Sequence, residues 1–147
     1  MQIGYNTGIE IKTSKPGLYM VGNTHIDPVT RKSLFSVKIG QASNLEKRMR
    51  DYTTHNPFSY KIDYLVVEDK KHRNILERLG HELCEAVAEG TPSIKSEFYI
   101  VEETMYWEFC DNGFDELFDW IEAGIKTSYY PEGEDILKEI KGYERGM

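Results

Sequence analysis

The sequence predicts an α+β protein: a small central antiparallel sheet of about three strands, flanked by helices, with an acidic helical extension at the C-terminal end. Three observations predict it. Short apolar runs punctuated by glycine occupy Leu18 to Gly22 and Ser33 to Gly40, and a third run places Tyr60, Ile62, Tyr64 and Val66 at every second position. Beyond Asp69, the residues Ile75, Leu76, Leu79, Leu83, Cys84 and Val87 recur at three- and four-residue steps, the signature of one apolar helix face. The last third of the chain is acidic and rich in aromatics.

In chain order, residues 1–15 carry Ile3, Tyr5, Ile9 and Ile11 with polar spacers, a loose strand pattern or an ordered arm, and Pro16-Gly17 punctuates. Leu18 to Gly22 reads as the first strand and Asn23 to Lys32, with Asp27-Pro28, as a loop. Ser33 to Gly40 then pairs antiparallel as a long-looped hairpin. Ser43 or Asn44 caps a short helix that runs to Tyr52. Thr53 to Pro57 stops it, because proline pushes the preceding residue out of helical backbone. The third strand follows, and Asp69 caps the longest helix, which Gly90-Thr91-Pro92 ends. Phe98 to Val101 is a short strand or edge segment. Phe114, Leu117, Phe118 and Ile121 mark an amphipathic helix, and a last short helix spans about Glu134 to Tyr143 after Pro131.

At 147 residues the chain is long enough for one domain with an appendage. Cys84 and Cys110 read as buried thiols, not a disulfide framework or a metal site. The net charge of −7 is unevenly spread. Residues 1–99 hold 14 Lys and Arg against 12 Asp and Glu, whereas residues 100–147 hold 4 against 13. The first part is thus mildly basic, with Lys47, Arg48 and Arg50 clustered on one short helix, which suits phosphate contact.

The most informative stretch runs from Val37 to Tyr52. An apolar run ends in Lys38-Ile39-Gly40, and the helix after it carries Asn44, Lys47, Arg48, Arg50 and Tyr52. With Gly17-Leu18-Tyr19 upstream, this resembles the GIY-YIG nuclease superfamily, in particular a phage and bacterial branch with a KIG turn, then N-x-x-x-R, then N-P, here Asn44, Arg48 and Asn56-Pro57. Leu76-Glu77-Arg78-Leu79-Gly80-His81 resembles its metal-binding helix and Ser96-Glu97-Phe98-Tyr99 its closing segment. The likeness covers about residues 16–101, so residues 1–101 read as a GIY-YIG-like nuclease domain and 102–147 as an acidic, aromatic extension.

The resemblance implies hydrolysis of DNA phosphodiester bonds with one divalent ion, Mg²⁺ or Mn²⁺. It implies Tyr19 as general base or water-orienting group, Lys38 in place of the second tyrosine, Arg48 on the phosphate, Tyr52 one turn further on, and Glu77 as metal ligand with His81 beside it. Lys47, Arg48, Arg50 and Asn44 are the implied nucleic-acid contacts. Taken singly, Tyr19 reads first as a strand tyrosine and Arg50 as part of a solvated helix face, while Glu77 reads either as a rim acid paired with Arg73 or Arg78 or as a ligand. His25, His55 and His72 stand in no motif.

The cluster Tyr106, Trp107, Phe109, Phe114, Phe118 and Trp120 reads as core of the C-terminal helices or as a partner surface. The acidic extension reads as a capping subdomain, as a protein-binding region, or as a nucleic-acid mimic. DNA is the expected partner, with a homodimer left open because one-site nucleases often use a second subunit. No run approaches the roughly 20 apolar residues of a membrane span, and Met1 to Lys12 lacks a signal-peptide pattern, so the expected location is cytoplasmic, the host cytoplasm for a phage-encoded chain. Two other readings stay open: a catalytically inactive DNA-binding or protein-interaction module on the same fold, and an unrelated α+β protein.

Overall fold

A computed structural model describes residues 8–55, 59–89, 98–126, 133–140 and 143–146. The strands are β1 (Gly17–Ile26), β2 (Ser33–Ala42), β3 (Tyr60–Val66) and β4 (Tyr99–Val101). The helices are α1 (Leu45–His55), α2 (Lys70–Val87), α3 (Glu103–Asn112), α4 (Asp115–Lys126) and α5 (Gly133–Ile140). Every strand pair is antiparallel and the order is β3-β1-β2-β4. The α+β class is as expected, with one strand more than the three anticipated, since Tyr99–Val101 pairs with Phe35–Val37. The expected signals Asn56-Pro57, Gly90-Thr91-Pro92, Ser96-Glu97, Pro131 and the first residues of the arm lie outside the described residues.

The hairpin corrects the sequence reading. Asn23 to Lys32 is not all loop: β1 continues to Ile26 and pairs through Ile26↔Ser33, so only Asp27 to Lys32 turns. Polar residues at Asn23, Thr24 and His25 concealed this, because a ribbon with no helix over its outer half buries neither face and shows no apolar alternation. The C-terminal reading is corrected too. Two helices stand where one was expected, divided at Gly113, whose φ of 57° favours glycine.

Alternation sorts the sheet into two faces. Leu18, Met20, Val37, Ile39 and Ile62 pack with Leu76, Leu79 and Leu83 of α2, Tyr106 and Phe109 of α3, Leu117 and Ile121 of α4 and Ile136 of α5 in the larger core. The helices beyond residue 101 therefore share that core with the sheet. The cluster Tyr106, Phe109, Phe114 is buried there, while Trp107 stays half exposed. Tyr19, Val21, Ala42 and Val66 face the other way, under Leu45 and Met49 of α1 and Ile11 of the N-terminal segment. Cys84 is buried and free, and desolvation pushes its thiol up to about 12.

Asp63 of β3 is fully buried. One carboxylate oxygen accepts the Tyr64 N–H at 2.8 Å, and the other accepts the Phe114 N–H at 3.0 Å and Arg145 Nη2 at 2.7 Å. Arg145 in turn bonds Asp115 at 2.8 Å and lies over the Phe118 ring. Its backbone bridges Leu65 on the outer edge of β3.

Candidate nucleic-acid interface

Helix α1 starts where Asn44 Oδ1 accepts the Lys47 N–H at 3.0 Å, which settles the cap on Asn44. Leu45 and Met49 point into the small core. The flank beside them then carries Asn44, Lys47, Arg48, Asp51, Tyr52 and His55, the spacing of one helix side. With Ala42 and Ser43 these residues line a groove of about 470 Å³. Lys47, Arg48 and His55 are exposed. Arg50 faces the opposite flank, bonded to Glu46 at 3.0 Å beside Lys12 and Lys61. Asp51 and His55 line the groove without having been singled out by motif. Their steps of three and seven from Arg48 were the available signal.

Below the groove, the ring of Tyr52 stands 6.3 Å from that of Tyr19, centroid to centroid, and Lys38 Nζ lies 5.6 Å from the Tyr52 centroid. Tyr19 pairs with Gly40 across the ladder, and its hydroxyl occupies the space that a Cβ at residue 40 would fill. That contact is the physical reason for glycine at the end of Lys38-Ile39-Gly40. Tyr19 is only 3% exposed, and the Tyr52 hydroxyl is sealed from solvent. Tyr64, on the other side of Tyr19, has its hydroxyl pushed up chiefly by burial and then by Glu144, so it stays protonated. A Gly40→Ala variant is expected to displace the Tyr19 ring and lose about 1–3 kcal/mol of stability, read from urea midpoints. An unchanged midpoint would show that the ring yields freely.

Glu77 and His81 come from the other layer. His81 Nε2 donates to the Ile39 carbonyl at 2.8 Å, which assigns the hydrogen to that nitrogen. Asn74 accepts from Gln41 Nε2 at 2.8 Å. Glu77 lies one turn from each, so α2 holds it beside residues 39–41 of β2. β4 pairs only as far as Val37, and among the described residues no strand covers β2 beyond that point. Arg73 donates to the Val67 and Glu68 carbonyls, both at 2.9 Å. The structure thus gathers Tyr19, Lys38, Arg48 and Tyr52 on the α1 face and holds Glu77 across the β2 edge. Among the described residues, no three His, Cys, Asp or Glu side chains gather as a ready-made metal site.

Compared with known protein families, residues 18–122 match the T5orf172 domain, and the chain belongs to that family. Membership is consistent with a nuclease or DNA-binding role. None of the curated proteins or solved structures matched. No helix among the described residues is long and apolar enough to cross a membrane.

Proposed function

We propose that this protein is a metal-dependent endonuclease of the GIY-YIG type that hydrolyses DNA phosphodiester bonds. The observation that carries the reading is the α1 groove, where Lys47 and Arg48 share a flank with Tyr52, Arg48 one turn before it, above the Tyr19–Gly40 pair. The Arg48 guanidinium grips two phosphate oxygens as a planar fork, and Lys47 adds a point charge. Tyr19, with Tyr52 beside it, orients the attacking water, and it acts as the base only in its phenolate form, the water proton then becoming the phenol hydrogen. A tyrosine of ordinary pKa near 10 is a weak base, and the Lys38 ammonium lies over the Tyr52 ring, 5.6 Å from its centroid. Entry of DNA has to part α1 from β2, since the Tyr52 hydroxyl is covered.

The donor set suits Mg²⁺ or Mn²⁺ held by one carboxylate. Such ions ordinarily take one or two carboxylates and complete their shell with water and substrate phosphate, and Glu77 offers one from a helix pinned to β2. When bound, the ion supplies positive charge to the leaving oxygen. A second reading, a DNA-binding module that does not cut, is favoured by the burial of Tyr19 and by Glu77 standing across the sheet edge.

Nicking of supercoiled plasmid with Mg²⁺ or Mn²⁺ tests both. Endonuclease action predicts nicking by the native chain and its loss in Glu77→Gln with duplex affinity within about twofold, since the acid contributes no phosphate contact of its own. Binding without nicking establishes the module instead. A chain that neither binds nor cuts DNA overturns both readings.

A further inference from the structure

β1 and β2 run past both neighbours. β3 leaves β1 at Gly22, and β4 meets β2 only at Phe35–Val37, so His25 to Leu34 closes as a two-stranded ribbon that reaches beyond the sheet. Its tip exposes two apolar side chains, Ile26 at 67% and Val29 at 88%. Arg31 and Lys32 are exposed beside them. The one acid of the tip, Asp27, spends its carboxylate on the turn, accepting the Val29 N–H at 2.9 Å. That bond holds its pKa low. Arg31 adopts φ 59°, a backbone region in which glycine or asparagine is the easier residue. The tip is thus basic in a chain of net charge −7.

The register connects this ribbon to the α1 face. Asn23 and His25 occupy the same side of the β1–β2 ladder as Tyr19 and Lys38, whereas Ile26 alternates to the opposite side, so the tip presents side chains on both faces. Tyr19 and Ile26 are seven residues apart, about 23 Å along a strand and about seven base pairs of duplex. The major groove accepts a two-stranded β-ribbon, and apolar side chains there meet thymine methyl groups.

We propose that the β1–β2 ribbon is a second DNA-contacting element, entering the major groove about seven base pairs from Tyr19, with Arg31 and Lys32 on the backbone and Ile26 and Val29 against the bases. The inference rests on the DNA reading of the α1 groove. Fluorescence anisotropy of the full chain on a 24-base-pair duplex in EDTA, across a salt series, tests it without cleavage.

Arg31→Glu/Lys32→Glu is expected to weaken binding about tenfold and to flatten the log-log salt slope by about 2. The uncharged variant Ile26→Ser/Val29→Ser is expected to weaken it about threefold at unchanged slope. Arg48→Ala reports on the α1 groove separately. If both ribbon variants bind like the native chain while Arg48→Ala binds more weakly, the ribbon proposal falls and the groove reading stands. If the native chain does not bind duplex at all, both fall. Because all four ribbon residues are exposed, melting temperatures within a degree or two of native are expected and separate lost contact from lost fold.

Discussion

Replacing Arg48 with alanine is expected to slow DNA cleavage by about 10²–10³-fold, the usual consequence of removing one positioned donor from a developing oxyanion. Arg50→Ala is the matched control, two residues away on the same helix. Arg50 already bonds Glu46 on the far flank of α1 and lines a different groove, so cleavage within about twofold of native is expected. The comparison holds the charge change constant and varies only the side of the helix. Equal losses in the two variants would mean that the net charge of α1, rather than the geometry of its groove, drives the interaction. Quantified nicking under single-turnover conditions distinguishes these outcomes, because turnover then does not depend on product release.

The second large effect is expected far from that groove. Asp63→Ala removes the common acceptor of the Tyr64 N–H, the Phe114 N–H and Arg145 Nη2. Breaking one partner of a buried ion pair typically destabilises by about 3–5 kcal/mol, because the remaining donors stay desolvated. Much of the stability of an ordinary domain of about 5–15 kcal/mol is then gone. Urea unfolding of native and variant protein measures it. A loss under about 1 kcal/mol would show that water or Asp115 replaces the carboxylate. Gly113 belongs to the same arrangement: a Cβ there would press on the Asp63 side chain, so glycine is required by space as well as by its positive φ.

The parts of the molecule that were legible in the sequence are those governed by local rules. The three- and four-residue spacing of Leu76, Leu79 and Leu83 made α2 visible, and Asp69 caps it as expected by accepting the His72 N–H at 3.1 Å. The helix-side grouping of Asn44, Lys47, Arg48 and Tyr52 was equally local and reappears along one groove. The outer end of β1 was hidden because Asn23, Thr24 and His25 are polar on both sides, and a segment that buries neither side writes no pattern.

What Glu77 and His81 lie beside was not legible either. Helical spacing places them together, yet which strand they meet depends on how α2 crosses the sheet, and the bond from His81 to Ile39 spans 42 residues. Burial of Tyr19 was similarly out of reach. Ten tyrosines share the composition, and only the ladder partner Gly40 shows why this one fits so tightly.

The clasp around Asp63 also bears on when folding can finish. The carboxylate and its guanidinium are 82 residues apart, and the same C-terminal segment completes the ladder along β3, with Val66 donating to the Glu144 carbonyl at 2.9 Å. Long-range closures of this kind come late and are slow. A nascent chain emerging from the ribosome at ~5–20 residues per second exposes Arg145 roughly 4–16 s after Asp63. Closure around Asp63 therefore waits on residues 144–145 rather than on the early sheet.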